Sequence, residues 1–366
     1  MQGARKVNCN IAALKMLAMF GVICLHTFGS LNPVDSRVSY ALWYLVTFSI
    51  PVFFAASGYY TLNSKPTMHS ALSKVLGIMV LILLWGGVFM LYKYALLIHH
   101  QHTFLPTKGI IAQPVLLLVS SSLQMGRFGR LWFMWALAIL YLLSPWLSKA
   151  FKDTKTALEL ALVLTGFCLV SHGIDIAHTL NTGTSIYSYD VNPWFRQTFK
   201  IWVFATYFVW GGVLGRSDVR DYIRKRIPFK GALIIAVAMT IISVTCQMAL
   251  DNYMVYNSPE YQHDSPIVMI WVLSILVCFT CYNTKESSSR FWKDISKCML
   301  GIYFLHGMIA FLLKTYLIPA NSVINLMILA IATFGVCWFI TTIAMRIPVA
   351  KYFMAIPRIN LVNKHK

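Results

Sequence analysis

Ten apolar stretches follow one another along this 366-residue chain, at approximately 11–28, 38–60, 75–97, 131–148, 157–176, 199–214, 231–250, 265–283, 298–318 and 324–345. About 20 consecutive apolar residues cross the hydrocarbon core of a bilayer as a helix, and most of these stretches approach that length. Inside lipid the backbone must satisfy its own polar groups, which leaves helices for segments of this size. The chain is 58% hydrophobic and only 12% charged, with mean hydropathy +0.65, more apolar surface than a soluble domain can hide. These features predict an all-α, polytopic membrane protein with about ten transmembrane helices. The first apolar run carries Lys15 and continues into His26 without a small-residue cleavage site, so it is expected to remain a membrane span. No soluble region, repeat or low-complexity segment interrupts the pattern. Residues 1–366 therefore read as one integral-membrane domain, with no soluble C-terminal domain expected.

The formal net charge of +19 raises the question of nucleic acid, and its distribution answers it. The even-numbered connections and both tails hold 22 of the 31 lysines and arginines. The odd-numbered connections and their flanks hold eight, and Lys15 is the remaining one. Residues 251–264 carry none. Positive residues stay on the cytoplasmic side, so both termini are expected there, and a nucleic-acid partner is not. The eight cysteines are scattered, and the lone Cys278-x-x-Cys281 lacks the second pair or the histidine that a metal site needs. His99, His100 and His102 lie in a stretch without nearby carboxylate or cysteine, which reads as a solvated loop. The run Ile110 to Val119 is too short to span and contains Pro114, which suits a re-entrant or interfacial segment. Tyr187, Tyr189, Asp190, Trp194 and Arg196 mix aromatics with charge. That composition suits a carbohydrate surface, and an interfacial aromatic belt shares it.

Polar residues inside the apolar runs narrow the function. Lys15 and His26 are eleven residues apart, which puts them on nearly one helix face, roughly 16 Å apart along the axis. Both are costly in lipid and should face protein or water. In the second stretch, Ser49-Ile50-Pro51 leads to Ser57-Gly58-Tyr59: Pro51 frees a backbone carbonyl, and Ser57 with Gly58 permits a close backbone approach. Arg130-Leu131-Trp132-Phe133 opens the fourth stretch, with Tyr141 to Pro145 further along it. In the ninth, Tyr303 and His306 share a face. Each piece alone has a packing explanation, because Pro, Gly and single histidines also serve helix contacts in membranes. Together they describe a polar core, for which transport and catalysis compete.

Taken in order, the same residues resemble the acyltransferase-3 family of membrane-bound acyltransferases, particularly its members that O-acetylate enterobacterial common antigen. Lys15 and His26 match the family's basic residue followed after ten positions by His. Ser57-Gly58-Tyr59 matches its "SGY" segment. Leu131-Trp132-Phe133 with Tyr141-Leu142-Leu143-Ser144-Pro145 matches "LWF…YL.SP", and Leu300-Gly301-Ile302-Tyr303 with His306 matches "LGIY..H". The departures are specific. Lys15 stands where Arg is usual, so a point charge replaces a bidentate fork. Ala12 replaces an acidic residue, and Arg130 stands where the nearest relatives carry His. An Arg-x-x-Arg pattern is reduced to Lys74 and Gly77.

The resemblance implies a multi-pass bacterial inner-membrane O-acetyltransferase. Acetyl-CoA is the donor, no cofactor or metal is held, and the acceptor is a hydroxyl of an envelope polysaccharide such as O-antigen or its lipid-linked precursor. Lys15, Lys65 and Lys74 would meet the donor's phosphates at the cytoplasmic mouth. His26, with His306 as second candidate, would serve as base or as a transient acetyl carrier, since an imidazole pKa of about 6.5 suits the base's task. Trp132, Tyr303, Ser57 and Arg130 would contact substrate. A secondary transporter of a sugar or organic anion, or a regulatory membrane domain, remains the alternative. The charge asymmetry predicts that single cysteines placed in 215–230 and in 251–264 of a cysteine-free variant label from opposite sides with an impermeant reagent. Labelling of both from outside would overturn the ten-span arrangement.

Overall fold

A computed structural model describes residues 7–28, 36–101, 121–122, 131–186, 200–253, 262–282, 286–287, 290–357 and 359. Helices α1 (Cys9–Phe28), α2 (Ser36–Leu45), α3 (Ser49–Thr61), α4 (Met68–Gln101), α5 (Trp132–Leu147) and α6 (Thr154–Thr182) form the first part. They are followed by α7 (Ile201–Leu214), α8 (Ser217–Arg226), α9 (Phe229–Tyr253), α10 (Pro266–Thr280), α11 (Arg290–Tyr316), α12 (Val323–Ala344) and the short α13 (Lys351–Met354). Among the described residues, eight helical segments are long and apolar enough to cross a membrane, and α7 and α10 are shorter apolar helices. These ten segments coincide with the ten apolar stretches. A two-residue antiparallel bridge, Val7–Asn8 with Glu286–Ser287, ties the N-terminus to the connection before α11.

The sequence signals for helix ends are used where they occur. Asp153 caps α6 by accepting from the Thr156 amide at 2.8 Å, and Ser322 caps α12 by accepting from the Asn325 amide at 3.1 Å. Gly183 ends α6 with φ +75°, a left-handed conformation that glycine adopts without steric cost. The outer helices turn apolar side chains outward: Val163, Ile234 and Phe339 are each at least 67% exposed. Such a surface is stable only against lipid. Nearly all of α7 is buried instead, so this 14-residue helix need not match the bilayer thickness by itself.

The second apolar stretch is not one helix. It breaks at Val46 to Phe48, between α2 and α3, rather than at Pro51. Pro51 sits in the first turn of α3, where a missing N–H costs little. The carbonyl it leaves without a helical donor is that of Thr47, four residues back, and His263 supplies the hydrogen bond through Nε2 at 3.2 Å. The break is therefore satisfied from another part of the chain, as a break within the membrane must be.

The most extensive helix pairing is α3 with α7. A Cβ on Gly58 would strike the Phe208 carbonyl, and one on Gly211 would strike the Ala55 carbonyl. Small residues on both helices let the two backbones touch. Asn63 then locks the lower end by donating to the Gly212 carbonyl at 2.8 Å. Helix α1 runs through the middle of the bundle against α3, α11 and α12. Gly58→Ala should cost about 1–3 kcal/mol, because a backbone collision cannot be relieved by changing a rotamer. Thermal unfolding in detergent would show this. Gly87→Ala, at a position with nothing within 4 Å, should leave the transition where it is.

Candidate active site

A cavity of about 360 Å³ lies between α1, α3, α5, α11 and the segment after α12. Helical periodicity decides which side chains reach it. Lys15, Met19, Val22 and His26 recur at three- and four-residue intervals on α1, and so do Phe53 and Ser57 on α3. Phe133, Leu137 and Tyr141 do the same on α5, and Ser296, Leu300 and Tyr303 on α11. Met354, Ala355 and Ile356 close the fifth side.

The cavity is polar at two places. One lies toward the basic end of the bundle, with Lys15, Lys297, Ser296, Ser57 and Tyr141. The Lys15 ammonium is 5.3 Å from the centre of the Tyr60 ring. Ser57 donates to the Phe53 carbonyl at 2.9 Å and faces the Tyr141 hydroxyl. Lys74 is not a lining residue, but its ammonium lies 4.6 Å from the centre of the Tyr141 ring. Cation–π contacts hold the two ammonium groups against these rings.

The other polar place is His26. Its ring centre is 5.0 Å from that of His306, with the planes 35° apart. His26 lines the cavity and is half-buried, whereas His306 is 2% exposed and lies behind it. The Nδ1 of His306 donates to the Tyr303 carbonyl one turn earlier, which in the neutral ring leaves the lone pair on Nε2. Tyr303 continues the wall, 5.6 Å from Phe133 between ring centres. Trp132, 5.3 Å from Phe204, completes an aromatic side in which Phe204 stacks on Phe54 at 4.4 Å.

The structure thus brings Lys15, His26, Ser57, Trp132 and Tyr303 to one cavity, with His306 directly behind His26. Lys65 is exposed just after the 3-10 turn that follows α3, with φ +49°, and does not line the cavity. Arg130, His102, Ile110 to Val119 and the aromatic stretch Tyr187 to Arg196 lie outside the described residues. So do the side chains of His99 and His100. Sequence reasoning missed Lys297 as a site residue, having counted it only as topological charge. Reading back along the Tyr303 face of α11 by one heptad arrives at Ser296, with Lys297 beside it. None of the eight cysteines is in a disulfide.

A family model described as an acyltransferase domain, that of acyltransferase-3, matches residues 10–342. The chain belongs to the acyltransferase-3 family. No curated protein and no solved structure matches it. Its membrane helices and cavity therefore belong to a membrane-embedded acyltransferase, and the lining just described is the candidate site for acyl transfer.

This acyltransferase carries a second buried polar cluster at the end of the bundle away from Lys65. Beyond its bond to Thr47, His263 accepts at its own carbonyl from the Tyr207 hydroxyl at 2.6 Å. Its ring meets Phe204, the residue behind Trp132, at 6.3 Å. The neighbouring Asp264 carboxylate is 3.5 Å from His172 Nδ1, and Lys200 is buried nearby. Burial, and then the Lys200 charge, push the His263 imidazole down to about 4, against a smaller opposing pull from Asp264 and the Thr47 bond. Burial works against the Asp264 carboxylate, yet His172 and Lys200 outweigh it and hold the carboxyl below its usual range.

The sign of the pH effect follows. His263 stays neutral in the folded protein while the unfolded chain takes up a proton below about 6.5. Its contribution is complete above that pH, falls as pH drops from about 6.5 toward 4, and is flat below. The loss amounts to something on the order of 3 kcal/mol. The Asp264 contribution is lost only at lower pH, below the ordinary carboxylate range. Thermal midpoints in detergent at pH 7.5 and 4.5 should differ strongly for the wild type and much less for His263→Gln.

Proposed function

We propose that this acyltransferase moves an acetyl group from acetyl-CoA to a hydroxyl of an envelope polysaccharide, such as O-antigen, or of its lipid-linked precursor, in the bacterial inner membrane. The observation that carries the reading is the pairing, on one face of α1, of a cation near one end of the cavity with a histidine near the other. Among the described residues no Asp or Glu lines this cavity, so Lys15 and Lys297 make that lining positively charged, which suits an anionic donor. The basic end of the bundle is the cytoplasmic one by the distribution of lysine and arginine, and acetyl-CoA is made in that compartment. A volume of about 360 Å³ is at the small end of ligand pockets, so it takes the acyl thioester and its arm while the nucleotide stays at the mouth.

In this reading the acceptor hydroxyl gives its proton to His26 as its oxygen attacks the thioester carbonyl. The tetrahedral species collapses with cleavage of the carbon–sulfur bond. The sulfur leaves as thiolate and receives the proton from the His26 imidazolium, so the base is restored. His306, fixed by its bond to the Tyr303 carbonyl, backs the His26 ring and sets its orientation. Trp132, Phe133 and Tyr303 offer flat aromatic faces of the sort that pack against a sugar ring.

Mass spectrometry of the surface polysaccharide tests the assignment. His26→Gln should abolish acetylation with normal protein level and insertion, a loss of roughly 10²–10⁴ in rate. His306→Gln should reduce acetylation without abolishing it, because the buried ring acts through His26. The reverse pattern would exchange the two roles. A wild-type protein that acetylates no envelope glycan would overturn the acetyl donor and polysaccharide acceptor proposed here.

A further inference from the structure

We infer that Lys297 is the outer phosphate anchor of the donor site, receiving a phosphate of the CoA nucleotide at the rim while Lys15 stands deeper. The inference rests on the acetyl-CoA reading and adds a residue to it. Among the described residues two lysines line the cavity, one from α1 and one from α11, and these helices pack directly on each other. Lys297 is exposed and Lys15 half-buried, so an anion arriving from the basic end meets Lys297 first. The half-buried Ser296 beside it offers a hydroxyl donor to the same cavity. Among the described residues neither lysine has an ion-pair partner, so their charge awaits one. A phosphate or diphosphate at the opening would give these ammonium groups an anion to pair with.

The opposite side of the opening explains why the anchor comes from α11. There the segment after α12 lies across α4. Trp85 donates through its indole N–H to the Phe353 carbonyl at 2.7 Å, and Ser73 donates to the Ile359 carbonyl at 2.8 Å. A Cβ at Gly77 would stand 2.5 Å from the Pro357 carbonyl and 2.6 Å from Ile356, so no larger residue fits on α4 at that point. The same segment reaches α11, where Met354 abuts Gly301, and it presents Met354, Ala355 and Ile356 to the cavity. That wall is apolar and bears no charge, Lys74 is drawn to the Tyr141 ring, and Lys65 is outside the lining. Among the described residues, Lys297 is the exposed cation of the cavity lining. An ammonium binds phosphate as a point charge from many directions, so an arginine in its place should still serve.

The test is direct binding to the purified full-length protein in detergent, titrated with CoA, dephospho-CoA and pantetheine. Wild type should bind CoA better than pantetheine, which has no phosphate. Lys297→Ala should weaken CoA binding about tenfold and leave pantetheine binding unchanged, while Lys297→Arg retains most of the affinity. Loss of the penalty with dephospho-CoA assigns Lys297 to the ribose phosphate, and its persistence assigns the diphosphate. Either supports the inference. Equal weakening of CoA and pantetheine, or no weakening of CoA, would overturn it and leave the donor reading intact. A wild type that binds CoA no better than pantetheine would instead overturn the donor reading.

Discussion

The contact between α3 and α7 sets the geometry of everything around it. Two helices in lipid gain little by burying apolar surface against each other, because lipid is as apolar as their side chains. What holds them is close packing, and Gly58 and Gly211 bring the backbones together until each glycine rests on a carbonyl of the other helix. That approach draws Phe54 onto Phe204 and so brings Trp132 to the same wall. It also aims Ser57, one residue from the contact, into the cavity. At the lower end Arg220 donates to the Tyr59 hydroxyl at 2.6 Å, so the Ser-Gly-Tyr sequence is held on two sides by different helices.

The polar groups around the break in the second apolar stretch are met by partners from other parts of the chain. The carbonyl freed by Pro51 is met by His263, and His263 is itself tied to Tyr207, next to the Asp264, His172 and Lys200 cluster. This chain of contacts ends against Phe204, the ring behind Trp132. A distant loop and the aromatic wall of the cavity therefore share one packing unit. In the cavity, by contrast, the described lining holds Lys15 and Lys297 and no carboxylate. A buried charge met by a partner avoids the penalty of standing unpaired, and one left for a ligand can bind it.

Much of this was legible residue by residue. Ten apolar stretches read as ten helical segments because satisfying the backbone inside lipid is a local requirement. The eleven-residue interval between Lys15 and His26 placed both on one face because helix geometry is local too, and both line one cavity. The close approach at Ser57-Gly58 was equally readable as a need for space, although not the helix that would fill it. What the interval and the small residues could not name was the partner, since α7 and α11 come back to α3 and α1 only after more than a hundred residues.

The sequence by itself determined the membrane class, which apolar stretches become helical and the faces on which the polar residues lie, because these follow from composition and from periods of a few residues. Only the tertiary structure decided that His26 opens to the cavity while His306 stands behind it, and that the break in the second stretch falls at Val46 to Phe48. It alone decided that Lys297 joins Lys15 while Lys65 does not, and that the segment after α12 covers Gly77. Each of these depends on which helices meet and at what depth. That is set by the packing of all of them at once, and no stretch of the chain carries it alone.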